Sequence, residues 1–167
     1  MRKLALVAVA GGALAAALGA QATTITTTFA VSATVQKTCA VSANPLAFGT
    51  YTPGAGALTA NTTLAVRCTK TTPFTVALNG GTTTGGTVAQ RLMAGGADTL
   101  QYQLYTTATL ATVFGDGTGN SATVSGTGNG VNTANTVTVY GQVPDNATNQ
   151  AVGPTNYGDT ITVTVTY

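Results

Sequence analysis

Apolar and polar positions alternate with period two near both ends of the chain. In "TTITTTFAVSATVQKTC" (23–39) the odd row reads Ile25, Thr27, Phe29, Val31, Ala33 and Val35. The even row reads Thr24, Thr26, Thr28, Ala30, Ser32 and Thr34. Successive side chains of a strand point to opposite faces, so the pattern predicts a strand with one apolar face. No Gly, Pro, Asn or Asp turns this stretch back on itself, which leaves its pairing partner open. "GDTITVTVTY" (158–167) mirrors it, with Ile161, Val163, Val165 and Tyr167 on one face. Thr160, Thr162, Thr164 and Thr166 take the other face. No further residues follow to cap this edge, and a flat apolar edge is prone to associate unless something pairs with it.

Between these ends, short β-rich runs recur between turn signals. They are "LAFGTY" (46–51), "LTANTTLAVRC" (58–68), "FTVALNGG" (74–81), "TVAQRLM" (87–93) and "LQYQLYT" (100–106). "TVFGDGTGN", "ATVSG" and "NTVTVYGQV" follow. Many short strands broken by Pro53-Gly54, Gly95-Gly96 and similar signals predict a sandwich or a barrel. No window past residue 22 predicts a helix. Segment 115–134 has only Val124 and Val131 as large apolar residues and reads as a flexible loop or hairpin tip. The absence of a fixed period argues against a Thr-rich solenoid.

The first 22 residues read as an export signal. Arg2 and Lys3 precede "LALVAVAGGALAAALGA", and Ala20-Gln21-Ala22 fits a small-x-small cleavage site. The apolar run is short and broken by Gly11 and Gly12, unlike a membrane span. Its removal leaves about 145 residues, enough for one domain with a real core. It also changes the charge. The formal +2 of the whole chain becomes Lys37, Arg67, Lys70 and Arg91 against Asp98, Asp116, Asp145 and Asp159, four minus four. A neutral chain has no basic face for nucleic acid. The 37 Thr and few charges suggest an extracellular β protein with a hydroxyl-rich surface.

Catalytic chemistry finds few supports. The chain lacks His, Glu and Trp. Without His or Glu, only four Asp and a few Lys, Ser and Tyr are left for general acid–base or nucleophilic catalysis, so the chain reads as a non-enzyme with no catalytic residues. None of the four Asp sits in the Asp-Thr-Gly turn of aspartic proteases. "GTGNG" (126–130) superficially suggests a phosphate loop but precedes no predicted helix. "DGTGN" (116–120) begins like a calcium loop, yet the closing position 127 is Thr. No cofactor or metal is therefore expected. Asn61-Thr62-Thr63 and Asn146-Ala147-Thr148 match the glycosylation sequon, a pattern that a Thr-rich chain produces readily by chance. Cys39 and Cys68 are the only cysteines and fit an oxidising compartment. Their spacing is not CxxC and no His could share a metal, so the pair reads as one disulfide. A bridge closing about 29 residues stabilises by roughly 3–4 kcal/mol in the chain-entropy picture.

Six pieces occur in one order: "CAVSANPLAFGTYTP", "VRCTKTTPFTVALNGG", "RLM...LQYQLYT", "VFGDG", "VYGQVP" and "YGDTITVTVTY". Together they resemble the spore coat protein U domain of Csu-type archaic chaperone–usher pilins, over essentially all of 23–167. The resemblance implies an all-β, incomplete immunoglobulin-like sandwich completed by donor-strand exchange. It divides the chain into a signal peptide (1–22), a donor extension (23–37) and a pilin domain (38–167). Ile25, Thr27, Phe29, Val31, Ala33 and Val35 match the donor row. Ile161, Val163, Val165 and Tyr167 match the acceptor-groove edge, and Cys39 and Cys68 match the family disulfide. "TTITTT" is less apolar than the family's donor pattern. The implied partners are further copies of the chain, a periplasmic chaperone, an outer-membrane usher and minor or tip pilins. The implied setting is a cell-surface pilus used in attachment and biofilm formation. Two alternatives stand beside it: a coat or matrix protein of the same fold, and a small outer-membrane β-barrel. Ten aromatics (Phe 4, Tyr 6) are few for a barrel's two girdles.

Overall fold

The computed structural model describes residues 21–167. The expected export signal lies outside the described residues except for Gln21 and Ala22. The chain divides into two compact units, 1–34 and 35–167. In the first, the described residues 21–34 take no helix or strand and are exposed throughout. The predicted strand over 23–37 thus joins no ladder among the described residues. The reason is physical: a lone β-strand cannot satisfy its own backbone polar groups.

The second unit is all-β apart from one helical turn. Its strands are β1 (Cys39–Ala43), β2 (Leu58–Cys68), β3 (Pro73–Leu78), β4 (Arg91–Gly95) and β5 (Asp98–Tyr105). They continue as β6 (Val113–Phe114), β7 (Ser121–Ala122), β8 (Val124–Thr127), β9 (Asn135–Val143) and β10 (Val163–Thr166). One sheet runs β1-β2-β9-β5-β6-β7, with β4 paired to β5. The other runs β10-β3-β8. Both sheets are open, so the chain forms a sandwich and not the barrel weighed above.

The alternation read from the sequence explains the layers. Leu64, Val66 and Cys68 of β2, Leu100, Tyr102 and Leu104 of β5, and Val137, Val139 and Val143 of β9 point inward from the first sheet. Phe74, Val76 and Leu78 of β3 meet them from the second. Cys39 and Cys68 face each other directly across β1 and β2, and they form the disulfide, with Cα atoms 4.1 Å apart.

Several boundaries differ from expectation. "LAFGTY" (46–51) forms no strand; Leu46 and Phe48 instead pack on the core from an irregular segment. The run 87–93 becomes a strand only at Arg91, because Thr87 and Gln90 close a turn first. Segment 115–134, expected as a loop, contains β7 and β8. It is ordered by Asp116, whose Oδ1 accepts the Thr118 amide at 3.0 Å and the Thr118 hydroxyl at 2.7 Å. The single turn α1 (Ala147–Gln150) was not expected; its first turn is capped by Asn146, whose Oδ1 accepts the Asn149 amide at 2.9 Å.

Candidate strand-acceptor groove

A cleft of about 540 Å³ opens between the two layers. Its floor is apolar: Leu64, Leu78, Tyr102, Leu104 and Val139. One rim is the end of β1 and the residues that follow it, Ala43 to Leu46. The other rim carries Ile161 and Val163. β10 has a ladder on one side only, with β3, where Val163 faces Leu78 and Val165 faces Val76. Its other edge lacks a partner strand among the described residues. Core side chains therefore border a groove where a further strand would fit, the arrangement that strand addition requires.

The rim at β10 is fixed in place. Gly158 bridges Ala94 of β4 through two backbone hydrogen bonds, 2.9 and 3.0 Å long. The Thr162 amide donates to Asn79 Oδ1 at 2.8 Å. Between these anchors sits Asp159. Its Oδ2 accepts the Tyr102 hydroxyl at 2.6 Å. Its Oδ1 accepts the amides of Thr82 and Thr83 at 2.9 and 3.0 Å, and their hydroxyls as well. Partial burial raises the Asp159 pKa, but Tyr102 and the backbone amides outweigh it and hold the carboxyl below its ordinary value. Tyr102 responds in the opposite direction: burial, then the bond to Asp159, push its hydroxyl far up.

The opposite rim depends on a glycine. A Cβ built on Gly141 would lie 2.7 Å from both Leu46 Cδ2 and Phe48 Cζ. The bare backbone of β9 is what lets these two side chains lie against the sheet. The same residues, with Met93 and Tyr157, separate the cleft from a second one of about 850 Å³. Farther along, Asp145 holds the segment down. Its Oδ1 accepts the Tyr51 hydroxyl at 2.6 Å and the Gly54 amide at 3.0 Å, and its Oδ2 accepts the Gly56 amide at 2.8 Å. The Tyr51 bond is the largest influence holding the Asp145 carboxyl well below the usual carboxylate range. Burial and that same bond push the Tyr51 hydroxyl up to about 12.

Arg91 ties the layers beneath. It is fully buried and faces carbonyls and an amide, not a carboxylate. It donates to the Asn79 carbonyl (3.0 and 2.7 Å), the Phe114 carbonyl (2.8 Å) and Gln103 Oε1 (2.5 Å). Burial lowers its pKa, and Tyr102 and Asp159 counter that.

The residues expected at the acceptor edge divide into two sets. Ile161, Val163 and Val165 are half-buried and pack on the core, and the first two line the cleft. Tyr167 is exposed and does not line it. The expected donor row is in solvent: Ile25 is 95% exposed, Phe29 85%, Val31 83% and Val35 84%. Thr27 and Ala33 are exposed too. Sequence reading missed Leu46 and Phe48 as a rim because their alternation resembles a strand. It weighed Asp159 only as a catalytic carboxylate, and it had no local signal for Arg91 or Asp145, whose partners lie far away in sequence.

Among the described residues no group of His, Cys, Asp or Glu is arranged to hold a metal ion. No curated protein matches the sequence. Among solved structures, the chain is similar to one from the CsuC–CsuE chaperone–tip adhesion subunit pre-assembly complex, of archaic chaperone–usher Csu pili of Acinetobacter baumannii. The two share 25% identity at a TM-score of 0.55, over 80% of this chain and 40% of that one. The profile of the Spore Coat Protein U domain matches residues 25–164. With that match spanning most of its length, the chain belongs to the spore coat protein U domain family.

Proposed function

We propose that the chain is a structural subunit of an archaic chaperone–usher pilus. Residues 23–37 of one copy fill the groove between β10 and the 43–48 rim of the next. One observation carries this reading: four large apolar side chains of a single row lie exposed, while core side chains border an apolar groove along the edge of β10 that pairs with no strand among the described residues. Each feature is unfavourable alone, and each is what the other needs. Burying Ile25, Phe29, Val31 and Val35 is worth about 1.5–3 kcal/mol each, or about 6–12 kcal/mol gross. Ordering the extension opposes this at about 1–2 kcal/mol per residue of backbone. The new ladder and the completed core of the acceptor supply the rest. A periplasmic chaperone strand holds the groove before assembly, and an outer-membrane usher exchanges it for the donor. The fibre serves attachment and biofilm formation, and the chain acts in structure and assembly, not catalysis.

The test is a graft. A second copy of residues 23–37, fused after Tyr167 through a short linker, fills the groove in cis. It should give a soluble monomer with raised Tm that does not polymerise. Phe29→Asp or Val31→Asp in the unfused chain should abolish SDS-resistant multimers, while Thr28→Asp, on the opposite face, keeps them. Equal assembly by all three variants would overturn strand donation.

A further inference from the structure

The groove also carries information about how the incoming strand is aligned. From Tyr157 to Thr166 half-buried and exposed positions alternate strictly, so Tyr157, Asp159, Ile161, Val163 and Val165 share the groove-facing row. Four of these five are apolar. Asp159 is the exception, and both of its carboxylate oxygens are already engaged by Tyr102, Thr82 and Thr83. A bulky apolar side chain pressed against it would strip water from a charged group without offering a hydrogen bond. The donor row contains one alanine, Ala33, among its otherwise larger members.

Resting on the donor-strand reading, we propose that Asp159 sets the register of the incoming strand by accepting only Ala33 opposite it, with the strand antiparallel to β10. Antiparallel pairing is the more stable per residue, and every pairing here but that of β6 with β7 is antiparallel. The rest of the row then falls into place. Val31 faces Ile161 and Phe29 faces Val163, over the cleft floor. Thr27 faces Val165 and Ile25 faces Tyr167. Val35 reaches Tyr157, at the entrance to the second cleft. A shift by two residues places Val31 or Val35 against the carboxylate. The shift that brings Thr27 there carries Val31, Ala33 and Val35 past Tyr157 and leaves the cleft without them. Asp159 is thus a specificity-determining residue, and Ala33 is its complement.

Paired cysteines on the outward face read the alignment without touching the core. Facing residues on one side of an antiparallel pair have Cβ atoms about 4.5–5.5 Å apart, close enough to cross-link with slight adjustment. Fibres sheared from cells that express T28C/T164C or T26C/T166C, oxidised and boiled in SDS without reductant, should give covalent ladders. T28C/T162C, T28C/T166C and T26C/T162C should ladder at least tenfold less. Strongest ladders from T28C/T162C or T28C/T166C would overturn the register. Ladders from T28C/T164C and T26C/T162C without T26C/T166C would overturn the polarity, strongest ladders from T26C/T162C alone would overturn the register, and fibres that ladder with no pair would overturn both. Ala33→Leu should cut fibre yield at least tenfold while Ala30→Leu, facing outward, leaves it unchanged; equal yields would remove Asp159 as the determinant. Undiminished fibres from Phe29→Asp would instead overturn strand donation itself, whichever pair cross-links.

Discussion

Replacing Gly141 with Ala tests whether the groove rim is built as described. A glycine inside a strand ordinarily weakens it, and Gly→Ala where the backbone permits stabilises by about 0.4–1 kcal/mol through the unfolded chain. Gly141 has no positive φ to forbid the change. Composition alone thus expects a gain. The geometry reverses the sign. The new methyl would sit 2.7 Å from Leu46 Cδ2, 2.7 Å from Phe48 Cζ and 2.9 Å from Phe48 Cε1. Ordinary carbon contacts lie at about 3.5–4.0 Å, so both side chains must retreat by roughly 1 Å. Phe48 is restrained by its edge-to-face contact with Tyr102, centroids 6.1 Å apart. Overpacking of this kind costs about 1–3 kcal/mol, which leaves a net loss of about 1–2 kcal/mol. For a domain of this size, that lowers Tm by about 3–8 °C. The assay is thermal unfolding of the self-complemented monomer, followed by circular dichroism. Gly158→Ala is the control, because nothing lies within 4 Å of the Cβ it would add. A Tm for Gly141→Ala at or above wild type would refute the close packing of Leu46 and Phe48 on β9.

Two further predictions concern the polar anchors. Arg91→Met leaves the carbonyls of Asn79 and Phe114 without their buried donor, at about 1–3 kcal/mol each, while Gln103 Oε1 keeps the Leu104 amide. Denaturant unfolding should show a loss of about 2–6 kcal/mol, and Arg91→Lys should not restore it, since one ammonium cannot reproduce the guanidinium fork. Asp145 has a folded pKa below its unfolded value near 3.9, so its contribution is complete above that value and lost as pH falls through the folded pKa. A plot of Tm against pH should therefore fall below about pH 4, and Asp145→Asn should flatten that acid limb while lowering the plateau above it. An unchanged acid limb in the variant would show that Asp145 is not what holds the 51–56 segment.

Period-two alternation located the core strands because a sheet with one buried face imposes it directly. Leu100, Tyr102 and Leu104, or Val137 and Val139, are legible for that reason. The C-terminal edge was legible in the same way, and Ile161, Val163 and Val165 lie on the core as their row implies. Leu46 and Phe48 share that spacing, yet they sit on an irregular segment. What decides the matter is the missing side chain of Gly141, about a hundred residues away. Asp145, Asp159 and Arg91 escape sequence reading for a related cause. Their roles come from partners brought close only by the sandwich: Tyr51, Thr82 and Tyr102, and Phe114. Segment 115–134 reads as loose because Gly and Asn dominate it, but hydrogen bonds to Asp116 and pairing of β8 with β3 impose order that composition does not advertise.

The disulfide has a mechanical meaning in a strand-exchanged fibre. Tension along the axis would enter each domain at Thr38, next to Cys39, and would otherwise peel β1 from β2 one bond at a time. In a fibre built by the proposed exchange, the Cys39–Cys68 bridge would pass that load directly to the C-terminal end of β2. Everything between, residues 40–67, is then bypassed by the force path. The nine facing pairs that join β2 to β9 would then not be unzipped from the Leu58 end. Reduction would turn a covalent shunt into a peelable edge, so the rupture force of a single domain should drop without any change in its groove.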